Sequence, residues 1–119
     1  MSKKVILFGA GEIGNKAIDF YGKDNISYIC DNNMKLHGTT IRDIEVISFE
    51  KLLEVHKDSR IIVSVLNVDA IKQITGMLEV NNIPYAFFMD DMDSGESIKE
   101  VFTNIYKEKK WGGNEEFYS

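Results

Sequence analysis

A single cysteine, Cys30, occurs in 119 residues, which excludes a disulfide framework and a multi-thiolate zinc site. Only two histidines are present, His37 and His56, and their separation argues against a histidine-rich metal centre. No metal is therefore expected. No apolar run approaches the roughly 20 residues needed to cross a bilayer. Residues 1–5 pass from two lysines straight into apolar side chains, without a signal-peptide cleavage pattern. The expected setting is a reducing cytoplasm. A P-loop, a nucleophile elbow and a pair of catalytic carboxylates are also missing, so no catalytic residue is assigned. Neither an internal repeat nor a low-complexity segment appears.

Charge of one sign is scarce in the second half. The net charge is −5, yet residues 1–60 carry nine basic and nine acidic side chains. Residues 61–119 carry five basic and ten acidic ones, so the whole excess lies there. An acidic half without a basic stripe argues against nucleic acid and against an anionic membrane surface. The remaining composition is ordinary: 44% hydrophobic and 28% charged, as in soluble globular chains. The length suits one domain of the usual ~100–200 residues.

Along the chain, apolar strands alternate with helical patterns, which points to βαβ units and a parallel sheet. Residues 4–8 are a strand covered on both faces. Residues 12–21 read as a helix, with Ile13, Ala17 and Tyr21 spaced by four, ended by Gly22. Residues 26–30 form a second strand that stops at the turn-formers Asp31-Asn32-Asn33. Residues 38–46 are less regular, a small hairpin or loop leading into a third strand at 45–47. Ser48 is placed to cap a helix carrying Phe49, Leu52, Leu53 and His56. Residues 60–66 are the most apolar strand. Asn67 can cap the next helix, whose stripe is Ile71, Ile74 and Leu78 and whose end is Asn81-Asn82-Ile83-Pro84. Residues 85–89 make a fifth strand and 90–96 an acidic loop, in which Met92 breaks any EF-hand pattern. Ser97-Ile98-Lys99-Glu100 resembles a capping box opening a last helix through Phe102 and Ile105. The expected fold is a single α/β three-layer domain with a five-stranded, mainly parallel sheet of order 3-2-1-4-5. It would span residues 1–110, with 111–119 a linker or the start of a following domain.

The strongest motif is Gly9-Ala10-Gly11-Glu12-Ile13-Gly14, a G-x-G-x-x-G placed directly after a strand and opening a helix. Gly9 would permit a tight turn, Gly11 a diphosphate's approach and Gly14 close helix–sheet packing. The first helical N–H groups and the helix dipole would then face the anion. The alternative is a glycine-rich turn without a ligand. Asp31 lies at the end of the second strand, where a carboxylate accepts from ribose hydroxyls and disfavours a 2′-phosphate. It could instead cap the strand end. Asn32 and Asn33 could meet a base or shape the turn. Asn67 falls at the switch point, either touching a ribose or phosphate or only capping its helix. Cys30 should be buried and inert. His37 is a loop residue, binding or solvated, and His56 sits near a helix C-terminus. The expected ligand set is thus NAD or a nucleotide sugar, held by residues 9–14, Asp31, Asn32 and Asn67.

Residues 4–89 resemble the Rossmann-like domains at the N-terminus of bacterial surface-glycan enzymes. The likeness rests on Val5-Ile6-Leu7-Phe8-Gly9-Ala10-Gly11 with Gly14, on Tyr28-Ile29-Cys30-Asp31-Asn32-Asn33, on Gly38, and on Val46-Ile47-Ser48-Phe49-Glu50. It implies a domain that binds NAD or a nucleotide sugar for a larger enzyme. Further on, Ile105-Tyr106-Lys107, Trp111-Gly112-Gly113 and Phe117-Tyr118-Ser119 resemble the lead into a class I S-adenosylmethionine-dependent methyltransferase domain. That implies an excised N-terminal domain of a polysaccharide-biosynthesis methyltransferase. The glycine loop itself departs from a methyl-donor site, because Leu7 stands where such sites carry an acidic residue. A nucleotide-sugar oxidoreductase or dehydratase fragment and a structural assembly domain remain alternatives. A homo-oligomer is compatible with all three.

Overall fold

A computed structural model describes residues 3–92 of the chain. Lys4–Phe8 forms β1, at the centre of the sheet, and four of its five residues are buried. Successive side chains on a strand point to opposite faces, so Val5 and Leu7 enter one core layer while Ile6 and Phe8 enter the other. This double burial is why β1 reads as a continuous apolar run. Ile26–Cys30 (β2) and Ser59–Val63 (β5) pair with β1 in parallel on either side. Ile44–Ile47 (β4) pairs in parallel with β2, and Ala86–Phe87 (β6) with β5. Thr40–Ile41 (β3) closes one edge, antiparallel to β4. The sheet order is β3-β4-β2-β1-β5-β6.

The helices cover both faces. Glu12–Tyr21 (α1) places Ala17 and Ile18, and Phe88–Met92 (α4) places Phe88 and Met89, against Val5, Leu7, Ile29, Val46 and Ile62. Phe49–Val55 (α2) contributes Leu52, and Val68–Val80 (α3) contributes Ile74 and Leu78, to the opposite layer with Ile6, Phe8, Ile61 and Val63. Each helix ends for a local reason. The Gly22 N–H closes α1 on the Ile18 carbonyl at φ +89°. The Ser48 hydroxyl accepts from the Lys51 N–H to start α2, and the Asn67 side chain accepts from the Ala70 N–H to start α3. At the end of α3, Asn82 takes a positive φ of 57°; its N–H reaches the Glu79 carbonyl and the Ile83 N–H reaches that of Leu78. That is a Schellman closure with asparagine in the glycine position.

The expected order 3-2-1-4-5 is present as β4-β2-β1-β5-β6, but the expected count of five strands is corrected to six by β3. β3 exists because residues 38–46 form the hairpin rather than a plain loop. Its two-residue turn is Arg42-Asp43, both with positive φ (51° and 71°). Neither is a residue that favours this conformation as glycine does, so the turn carries no glycine signature in the sequence. Side-chain bonds hold it: Arg42 donates to the Asp19 carboxylate at 2.6 Å and the Asn15 carbonyl at 3.2 Å, and Lys23 pairs with Asp43 at 3.0 Å. Two strands are shorter than expected. β5 ends at Val63, where Ser64 turns onto the glycine loop. β6 ends at Phe87, and Phe88 and Met89 belong to α4. Their apolar character suits a strand, but packing wins: Phe88 stacks 5.7 Å from Phe20 and 6.0 Å from Tyr21. Asp90 and Asp91 then occupy the helix's first turn, where the dipole favours them. The helix expected from Ser97, the boundary at residues 110 and 111, and the tail lie outside the described residues.

Both core layers meet at β1, so a deletion there should be felt throughout. Leu7→Ala, at a fully buried position, is expected to cost about 2–5 kcal/mol. Val80→Ala, at a position 82% exposed, should stay within about 0.5 kcal/mol. Urea denaturation of the two variants checks the contrast.

Candidate functional site

The site grows from the carboxyl end of β1. The Gly9 N–H continues the ladder by donating to the Cys30 carbonyl at 2.8 Å, and Gly9 then turns at φ +131°. A side chain at Gly9 would meet the Ser64 carbonyl oxygen and the Val65 side chain, each at 2.7 Å. A side chain at Gly14 would strike the Gly9 carbonyl. So Gly9 and Gly14 are required by close packing of loop, helix and strand. Gly11 differs: a Cβ there would meet nothing within 4 Å. The position opens outward, at the N-cap of α1, and no side chain among the described residues caps that helix. Its first-turn N–H groups therefore lack the partner that Ser48 and Asn67 give α2 and α3.

Asp31 stands next to this opening, at the end of β2. One carboxylate oxygen accepts from the Ala10 N–H at 2.9 Å, and the other from the Asn33 N–H at 2.8 Å. The Asp31 N–H reaches the Ile47 carbonyl at 3.2 Å, and its own carbonyl accepts from His37 Nε2 at 2.6 Å. That contact requires the Nε2–H tautomer or the cation. Four bonds thus lock the backbone and carboxylate of Asp31, and each carboxylate oxygen keeps a further lone pair. Asp31 makes no ion pair among the described residues.

The glycine loop and Asp31 are therefore joined by a direct bond. The other expected residues sit differently. Glu12 is exposed, while Ile13 and Ala10 pack their side chains against the core, so these two offer only backbone groups to the opening. Asn32 is exposed and its amide lies 3.7 Å from the Met77 sulfur. Asn33 caps the turn at Met34–Leu36 through the Lys35 N–H. Asn67 gives its side-chain oxygen to the α3 cap. Cys30 is fully buried, and burial, with the Asp31 charge adding, pushes its thiol up to about 12. It stays protonated at neutral pH, as an inert thiol should.

Two residues were undervalued by sequence. Ser64 is buried, and its hydroxyl donates toward the carbonyls of Phe8 and Gly9, both at 3.3 Å. Its N–H also bonds the Phe8 carbonyl at 3.0 Å. A small polar residue ending the most apolar strand, opposite the glycine turn in the sheet order, was the available signal. His37 is half-buried against Asp31 rather than a free loop residue; nothing in its spacing announces that. Two cavities, of about 400 and 570 Å³, open at the opposite end of the strands and include none of these residues. The loop remains the better candidate, because open α/β sheets bind ligands beyond the carboxyl ends of their strands at the switch point, here between β1 and β5.

No family model and no curated protein matches the sequence. Solved structures do share the fold. RSP, a Rex-family repressor, in complex with beta-NADH aligns with a TM-score of 0.57 and 23% identity, over 71% of this chain and 44% of that one. The chain thus spans less than half the length of that relative. UDP-D-quinovosamine 4-dehydrogenase from Vibrio fischeri aligns with a TM-score of 0.56 and 24% identity, over 81% of this chain and 87% of that one. RSP with beta-NAD+ and operator DNA aligns with a TM-score of 0.56 and 19% identity, over 92% of this chain and 61% of that one. The fold is α/β and Rossmann-like, as expected. Since one protein with this fold is bound to DNA, the fold lends nothing to the expectation of no nucleic-acid partner, which rests on charge.

The unequal glycines give a direct check. Gly14→Ala should destabilise by about 1–3 kcal/mol, because a backbone carbonyl cannot rotate away from the added methyl. Gly11→Ala should leave the melting temperature within a degree or two, since a change under about 0.5 kcal/mol moves it little. Thermal unfolding followed by circular dichroism distinguishes the two.

Proposed function

We propose that residues 9–14 and Asp31 form the binding site of a nucleotide module, with NAD or a nucleotide sugar as ligand. One observation carries the reading: the Asp31 carboxylate is bonded to the Ala10 N–H beside the uncapped start of α1. The residues fit such a ligand. The α1 N–H groups and helix dipole suit a diphosphate, and the open space at Gly11 leaves its approach clear. The Asp31 carboxylate, held in place, has lone pairs for ribose hydroxyls and a charge that disfavours a 2′-phosphate. Structures sharing the fold include one with bound beta-NADH. Asn32 and Asn67 are secondary members of the proposed site, each with one side-chain group already engaged.

On this reading the domain, residues 1–110, serves a larger cytoplasmic enzyme of surface-glycan biosynthesis, a sugar methyltransferase by the resemblance of its last residues. It holds the nucleotide and does no chemistry alone. Binding groups hold ground and transition states alike, and acceleration needs groups that favour the transition state. A second reading is a fragment of a nucleotide-sugar oxidoreductase or dehydratase. What favours it is the likeness to UDP-D-quinovosamine 4-dehydrogenase, which extends over 87% of that chain. Turnover by the purified chain with NAD(H) and a nucleotide sugar would favour this second reading.

Calorimetry with NAD, NADP and UDP-sugars tests the site. Gly11→Val should abolish binding while the folded spectrum persists, since the side chain enters open space needed by the diphosphate. If the ligand is NAD, Asp31→Ala should weaken it by about 1.5–3 kcal/mol, the scale of hydrogen bonds to a charged group, and narrow the NAD–NADP gap. Unchanged affinity in Gly11→Val would remove the loop from the site.

A further inference from the structure

The acidic chain carries a cationic cavity that the nucleotide reading does not use. It lies at the N-terminal edge of β1, β5 and β6, at the far end of the sheet from the glycine loop, and encloses about 400 Å³. That is within the roughly 300–1,000 Å³ range of small-molecule sites. Ile61 and Ile83, buried, together with Pro84 and Ala86, make an apolar floor. Lys3, Lys57, His56 and Arg60 stand around it, and among the described residues none that lines it is acidic. The contrast with a net charge of −5 is what needs a reason.

The cations are not equivalent. Arg60 is tied to Asp91 at 3.1 Å, so its charge is answered and its position held. Asp91 in turn takes the Tyr21 hydroxyl at 2.7 Å. Lys3, Lys57 and His56 have no side-chain hydrogen bond or ion pair among the described residues. Two ammonium groups without a partner among the described residues, beside a concave apolar surface, form a complementary site for one kind of molecule. It has a flat apolar body and an anionic head. The body removes the exposed apolar surface of Pro84, Tyr85 and Ala86 from water, and the head meets the lysines, with field focused by the low-dielectric wall. Inorganic anions satisfy only half of this and stay hydrated.

We propose that this cavity is a second ligand site, separate from the glycine loop, for a small organic anion with an aromatic or aliphatic body and a phosphate or carboxylate head. The site depends on the apolar floor as much as on the lysines, so neither charge nor hydrophobicity alone should fill it.

The test is a titration of the full chain, isotope-labelled and followed by amide NMR, with phenyl phosphate, benzoate and inorganic phosphate. Phenyl phosphate and benzoate separate a phosphate from a carboxylate preference. One or both should give saturable shifts at Ser59, Arg60 and Ile61 and at Tyr85 and Ala86, with inorganic phosphate at least about tenfold weaker. The double variant Lys3→Glu/Lys57→Glu changes exposed side chains outside every ion pair described above, so folding should survive. It should weaken the organic anion at least about tenfold, or about 1.4 kcal/mol. Gly11→Val should leave this binding unaltered, which separates its fate from that of the nucleotide reading. The proposal is overturned by shifts confined to the glycine loop, by inorganic phosphate binding as well as either aromatic anion, by full affinity in the charge-reversed variant, or by no saturable shift.

Discussion

The carboxyl edge of the sheet depends on how closely three backbone segments can meet at Gly9. Its N–H is bonded to β2, its carbonyl faces the start of α1, and Ser64 from beyond β5 closes behind it. No side chain fits at Gly9 or Gly14, so α1 can start only where these glycines let it. The direction of α1, the exposure of its first N–H groups and the reach of the Ala10 N–H to Asp31 all follow from that one junction. The strand that leads into the junction is packed from both sides, because the side chains of β1 enter both core layers.

Much of this was legible in residue order. Apolar continuity identified β1 and β2 to their last residues, and the 3.6-residue period identified α1. Ser48 and Asn67 announced their helices because their side chains cap by local bonds, which sequence proximity encodes. The features that were hidden depend on distant partners. Arg42 and Asp43 form a turn that their own preferences do not favour, held by Asp19, Asn15 and Lys23. Phe88 leaves the edge strand because Phe20 and Tyr21 wait on the same face. At the candidate site, the glycines and Asp31 were visible as a motif and a spacing, but their direct bond and the clasps from Ser64 and His37 join residues up to 56 positions apart.

The sheet divides its chemistry by strand polarity. At the carboxyl ends, backbone donors and one fixed carboxylate face an opening without a basic side chain in the loop from Gly9 to Gly14. Phosphate recognition there would rest on N–H groups and the helix dipole rather than on lysine. At the amino ends of β1, β5 and β6 the arrangement is reversed, with cationic side chains over an apolar floor, whereas the cavity at the amino ends of β2 and β4 mixes Lys4 and Lys23 with Asp24, Asp43 and Glu45. Arg60 and Asp91 connect that end to α4, and Tyr21 connects it to α1, the helix that begins at the glycine loop.

The central claim is that the first-turn N–H groups of α1 are the donors for the ligand. Amide hydrogen exchange reads those groups one by one. With saturating NAD, NADH or a UDP-sugar, exchange at Gly11, Glu12 and Ile13 should slow markedly, because bound donors no longer reach water, while the already buried amides of β5 change little. A ligand that binds measurably yet leaves exchange at Gly11, Glu12 and Ile13 unaltered would contradict the account.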